Sequence, residues 1–168
     1  VVEEGFAEIP GWHPAVKNVY PIGLRRWRQS WFRRDTRLER SDFFKALKQN
    51  HYDLVVDAQG LLKSAWVVRK AEGEKVGFDW HSAREPLASW FYDQKVAVAK
   101  DQHAITRLRC LMAQALGFDL PDLNETKVEY GLDHQAWSKP DFLHTQLNDL
   151  PYWIGLHGTT WDTKLWPE

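Results

Sequence analysis

A chain of 168 residues, 43% of them hydrophobic and 27% charged, has material for one packed core. It has neither the composition of a disordered chain nor an apolar run near the roughly 20 residues that span a bilayer. Cys110 is the only cysteine, which excludes an internal disulfide, and the seven histidines include no HxxxH pair and no Cys/His cluster, so a reducing cytoplasm and a chain without a metal site are expected.

A net charge of −1 conceals a basic pole, because Arg25, Arg26, Arg28, Arg33, Arg34, Arg37 and Arg40 fall within sixteen residues. The first residues, "VVEEG", read as already inside a strand. "VYPIGL", from Val19 to Leu24, is a short apolar run between turn residues and predicts a strand with Pro21 at an edge or bulge. After the arginines, Phe43, Phe44 and Leu47 recur at helical spacing between Leu38 and Asn50, with Ser41 as the expected N-cap. "YDLVVDAQG" then predicts a strand covered on both faces, since Leu54, Val55 and Val56 are continuously apolar. "LLKSAWVVRKA" predicts a helix stopped by Gly73. "KVGF" and "KVAVA" read as strands and "PLASWFY" as a helix opened by Pro86. His103 to Leu116 predicts an amphipathic helix with Ile105, Leu108, Met112 and Ala115 on its apolar stripe and Gly117 as C-cap. This alternation predicts an α/β fold with a parallel, doubly wound sheet. Asp119 to Leu150 reads as a connector, and Tyr152 to Leu156 as the first strand of a second α/β unit.

Ligands of such sheets collect beyond the carboxyl ends of the strands, where "RRWR", "DAQG" and "HGTTWDTK" are expected. Arg25, Arg26 and Arg28 suit carboxylates or phosphates, and equally a solvated or membrane-facing surface. Trp27 and Trp31 fit either the core or a stack on arginine. Asp57 and Gln59 could orient a ligand, although a strand-end aspartate commonly binds nearby loop amides. Arg84 precedes the Pro86 helix, and His103 opens the long one, a position suited to hydrogen bonding. Gly158, Thr159, Thr160 and Lys164 form either a phosphate loop or an ordinary capped turn. GxGxxG, P-loop, GxSxG and DxD signatures do not occur in the sequence.

Taken in register, "VVEEGFAEIPGWHPAV", "RRWR", "DAQGLLKSA", "DWHSAREPLASWFY", "QHAITRLR" and "HGTTWDTKLWPE" resemble the lipopolysaccharide heptosyltransferase I family of glycosyltransferase family 9. The resemblance covers nearly all of the chain and is weakest between Leu120 and Leu150. It implies a GT-B fold, with residues 1–118 a Rossmann-like acceptor-binding domain lacking its first strand and helix, 119–150 an interdomain connector, and 151–168 the start of a nucleotide-sugar-binding domain. It implies inverting, metal-independent transfer of L-glycero-D-manno-heptose from the donor ADP-heptose to Kdo2-lipid A, with no cofactor and no nucleic acid partner. The expected location is cytoplasmic, peripheral to the inner membrane of a Gram-negative bacterium. By the same resemblance Arg25, Arg26, Arg28, Arg84 and His103 bind the anionic acceptor, and Thr159, Thr160 and Lys164 bind the donor phosphates. The family has a lysine where this chain has Gln29 and a basic residue at Trp161. Its general base, an aspartate in a glycine-containing loop, has no counterpart in the segment, so the segment is expected to be an internal piece inactive by itself. Two other readings compete: a non-enzymatic basic module docking on anionic membrane or nucleic acid, and a related heptosyltransferase with a different acceptor.

Overall fold

The computed structural model describes residues 1–120 and 130–132. The described residues of Val1–Gly131 belong to one compact unit; most of the connector expected at 119–150, and all of 151–168, lie outside the described residues.

Every strand pairing among the described residues is parallel, as the alternation of strands and helices predicts. Strands β1 (Val2–Glu3) and β2 (Pro21–Ile22) pair with each other. A second ladder has the order β3 (His51–Asp57), β4 (Glu72–Phe78), β5 (Gln94–Val96). The run expected as a strand from Val19 to Leu24 is thus only two residues long. Pro21 lies within it, in a short edge ladder where its missing N–H costs little.

Of the helices, α1 (Glu8–Gly11) is a single turn, and α2 (Leu24–Gln29) leaves β2 directly. α3 (Arg34–Lys48) starts seven residues before the expected Ser41 cap, which is therefore mid-helix. Its buried and half-buried residues are Thr36, Arg40, Phe43, Phe44, Ala46 and Leu47, an inward face that already begins at Thr36. α4 (Leu62–Val68) follows β3, and the helix expected from Pro86 is a 3-10 helix at Pro86–Phe91, with Pro86 in its first turn.

α5 (Ala104–Leu116) is capped as predicted, His103 at its start and Gly117 in the left-handed conformation at its end. Its inward face differs from the expected stripe: Leu111 is fully buried, with Cys110 and Ala115 beside it, whereas Leu108 and Met112 are 38% and 39% exposed. The face is set by the sheet it meets, not by where the largest apolar side chains fall.

Both faces of β3 are covered. Leu54 and Val56 pack in a core with Val76, Phe78, Val96 and Leu111, while Val55 packs on the opposite side with α4. Tyr52 and Val55 share that side despite an odd separation, because β3 carries an extra residue between His51 and Leu54 relative to β4. Gly73 sits opposite this irregularity, inside β4 and not at a helix end. Its φ is +141°, and a Cβ there would lie 2.2 Å from the Tyr52 carbonyl oxygen. The close approach of two backbones is why glycine occupies it.

Candidate functional site

The carboxyl ends of β2, β3 and β4 open onto two adjoining clefts. One, of about 260 Å3, is lined by Glu3, Ile22, Arg25, Gln59, Lys63 and Ser64 among others. The other, of about 380 Å3, is lined by Gln59, Lys63, Phe78, Arg84, Ala104 and Arg107 among others. Gln59 and Lys63 belong to both walls, so the clefts form one groove whose ionisable lining is Glu3 against Arg25, Lys63, Arg84 and Arg107. This is where an open parallel sheet places ligands, and the surplus of cations suits an anion.

The loop that builds the groove is held from beneath by Asp57, which is 3% exposed at the end of β3. Its Oδ1 accepts from the Gln59 and Gly60 amides at 2.9 and 3.2 Å. Its Oδ2 accepts from Ser64 Oγ at 2.7 Å and from the Tyr92 hydroxyl at 2.6 Å. With four donors satisfied, Asp57 is the turn-forming aspartate of the two readings open to it, and it leaves Gln59 at the cleft wall. Burial, and then the hydrogen bond to the Asp57 carboxylate, push the Tyr92 phenol well above its usual range. Gly60, at φ +63°, brings the loop within reach of residues 83–84, where a Cβ would meet the Arg84 amide at 3.3 Å. Glu85 accepts from the Leu62 amide at 2.6 Å and donates its own amide to the Gly60 carbonyl at 2.9 Å. The loops after β3 and β4 are thereby fixed to each other, and Lys63 and Arg84 are fixed with them.

The arginine cluster divides into different roles. Arg25 and Arg28 are exposed on α2, and no carboxylate among the described residues pairs with either. Arg26 is bound instead: its guanidinium donates to Glu4 at 3.0 and 2.8 Å and to Glu39 at 2.8 Å. Glu39, then Glu4, raise the Arg26 pKa further, and Arg26 holds both carboxylates below their usual range. Trp27 is 1% exposed in the core, and Trp31 lies under the Arg40 guanidinium at 3.8 Å. Each of the two fates open to these tryptophans is realised once, and neither makes a membrane-facing surface.

His103 is exposed and directly precedes Ala104, which lines the second cleft, and its Nδ1 accepts from the Ile105 amide at 3.3 Å. That bond assigns the proton of the neutral ring to Nε2, which points a donor outward. One turn on, Arg107 donates to the Ser82 carbonyl and stacks over Phe78 at 5.0 Å. Its Nε is buried without a partner among the described residues.

Lys63 and Arg107 were not singled out from sequence. A signal existed for Lys63: a cation in the first turn of a helix opposes the helix dipole, by about 0.3–1 kcal/mol, unless an anion is bound there. Arg107 follows His103 by four residues, so both project from the same face at the start of α5. Among the described residues no group of three or more His, Cys, Asp or Glu is placed to hold a metal ion. Thr159, Thr160 and Lys164 lie outside the described residues.

The model of glycosyltransferase family 9 (heptosyltransferase) matches residues 40–168. The chain is 51% identical over 169 residues to lipopolysaccharide heptosyltransferase 1 of Pseudomonas aeruginosa, covering 100% of this chain and 45% of that one. It is 49% identical to the enzyme of the same name from Salmonella typhimurium over 170 residues, 99% of this chain and 50% of the relative. Among solved structures, E. coli heptosyltransferase WaaC with ADP is similar at a TM-score of 0.79 and 46% identity, over 99% of this chain and 50% of that one. WaaC with ADP-2-deoxy-2-fluoro heptose has the same score and identity, over 99% of this chain and 51% of that one. The chain spans about half the length of the relatives it matches.

Proposed function

The chain belongs to glycosyltransferase family 9, the heptosyltransferases, and on that premise we propose that it serves heptose transfer in lipopolysaccharide synthesis, with the described residues forming the acceptor side. The donor is ADP-L-glycero-D-manno-heptose and the acceptor Kdo2-lipid A, at the cytoplasmic face of the inner membrane. The observation that carries this reading is the groove at the carboxyl ends of the strands, where Arg25, Lys63 and Arg84 gather around Gln59. Kdo carboxylates and lipid A phosphates are the anions such a groove would take, through charge-assisted hydrogen bonds. Arg28 on α2 and the outward Nε2 of His103 extend the acceptor surface; Arg26 contributes by holding α2 against Glu4 and Glu39.

Inverting transfer requires a base to take the proton of the acceptor hydroxyl as that oxygen attacks the anomeric carbon and the bond to ADP breaks. Asp57 is not that base, since its two oxygens are committed to four donors. Thr159, Thr160 and Lys164 are assigned to the departing diphosphate, with hydroxyls and a point charge in place of a metal ion.

Lys63→Gln, introduced into a full-length heptosyltransferase that carries this segment, provides the test, in a transfer assay with ADP-heptose and Kdo2-lipid A. Loss of one charge-assisted bond, about 1.5–3 kcal/mol, raises the acceptor KM roughly 10- to 100-fold and leaves the donor KM unchanged. An unchanged acceptor KM would remove Lys63 from the acceptor site. Turnover with a heptosylated core acceptor in place of Kdo2-lipid A would instead identify a related heptosyltransferase.

A further inference from the structure

We infer that the corner between α2 and α3 is a docking surface for a bilayer rich in anionic phospholipid. Phe32, between the two helices, is 90% exposed, whereas its neighbour Trp31 is half-buried under Arg40 and against Trp66. The corner thus turns one aromatic ring inward and the next one outward. On α3 the outward stripe runs Arg34, Leu38, Ser41, Lys45, opposite the inward Thr36, Phe43 and Leu47, and Leu38 is 55% exposed. Arg33, Arg34 and Arg37, which neighbour the two apolar side chains in sequence, are all exposed. The acidic group nearest them in sequence, Asp35, meets only Arg33, at 3.7 Å; Glu39 is taken up by Arg26.

Exposed guanidinium groups beside an exposed phenyl and an isobutyl group match the layered chemistry of an anionic membrane surface. The cations meet lipid phosphates, and the apolar pair enters the region beneath. A nucleic acid backbone would satisfy the same arginines but leave Leu38 in water, so the apolar half of the patch favours lipid. The surface is separate from the acceptor groove, and its test needs neither donor nor acceptor sugar, so it stands or falls independently of the transfer reading.

The test is co-sedimentation of the full chain with vesicles of phosphatidylcholine alone and of phosphatidylcholine mixed with phosphatidylglycerol. The mixed vesicles should bind the chain, and added salt should weaken that binding. Phe32→Ser should weaken it about fivefold or more. Arg34→Gln with Arg37→Gln should weaken it roughly 25-fold, at about 1 kcal/mol for each charge near the surface. All three positions are exposed, and unchanged circular dichroism would confirm that the variants fold. Lys95→Gln, on β5, should bind as the unsubstituted chain does. Equal binding to both vesicle types, or full retention of binding by Phe32→Ser, would overturn the inference. Displacement from vesicles by single-stranded DNA that Phe32→Ser binds equally well would also overturn it, in favour of a nucleic acid surface.

Discussion

The four donors on Asp57 come from the loop after β3, from α4 and from Tyr92, which follows the 3-10 helix. One buried carboxylate therefore positions the loop that presents Gln59 and Lys63. Tyr92→Phe removes one donor and leaves Oδ2 with Ser64 alone, a buried group partly unsatisfied. The expected cost is about 1–3 kcal/mol, read as a lower urea midpoint at unchanged m-value. The role of Asp57 was legible in part, since a strand-end aspartate followed by glycine signals an amide-binding turn. Tyr92 was not, because its hydroxyl reaches Asp57 across 35 positions of sequence and no local pattern encodes that. The arginines show the same limit: spacing revealed the cluster, but only tertiary neighbours sort Arg26, which two glutamates hold, from Arg25 and Arg28.

At the level of elements, the parallel pairing of β3, β4 and β5 followed from the alternation of apolar runs with helical segments, and α5 was legible at both caps. The expectations that missed share a cause. α3 begins at Arg34 and not at Ser41 because residues 34–42 are almost wholly polar, and only burial of Thr36 and Arg40 against neighbouring elements marks them as helix. Gly73 was read as a helix stop, since glycine after an apolar run normally ends a helix. In the fold it instead admits the Tyr52 carbonyl to β4. Gly73→Ala would force a Cβ into that carbonyl at a φ that L-residues rarely adopt. We expect a loss of about 2–4 kcal/mol, measured by denaturant unfolding. A loss below about 0.5 kcal/mol would show that the bulge in β3 shifts freely to accommodate a side chain.

On the scale of the whole unit, Arg26 ties three distant pieces together: the 3-10 turn holding Glu4, helix α2 and helix α3. Glu4 and Glu39 are both held below the usual 4.5, with the Arg26 hydrogen bond as the leading cause. A carboxylate with a lowered folded pKa stabilises fully above its unfolded value, and that contribution disappears as pH falls through the folded value. Glu39→Gln should therefore flatten the acid side of the stability profile below pH 4.5, relative to the unsubstituted chain. All of these groups are exposed, so the effect is modest and shrinks with salt. Parallel acid limbs for the two proteins would remove this ion triad from the stability of the unit.

By itself the sequence determined the class of fold, the strand ends beside which the groove opens, and the family. These depend on period, turn residues and short motifs, which are local properties of the chain. Tertiary structure alone decided which cations share a wall with Gln59, which arginine is neutralised, and which aromatic of Trp31 and Phe32 faces outward. Those outcomes depend on distances between segments far apart in the chain, where burial and charge pairing, and not residue type, determine what each side chain is free to do.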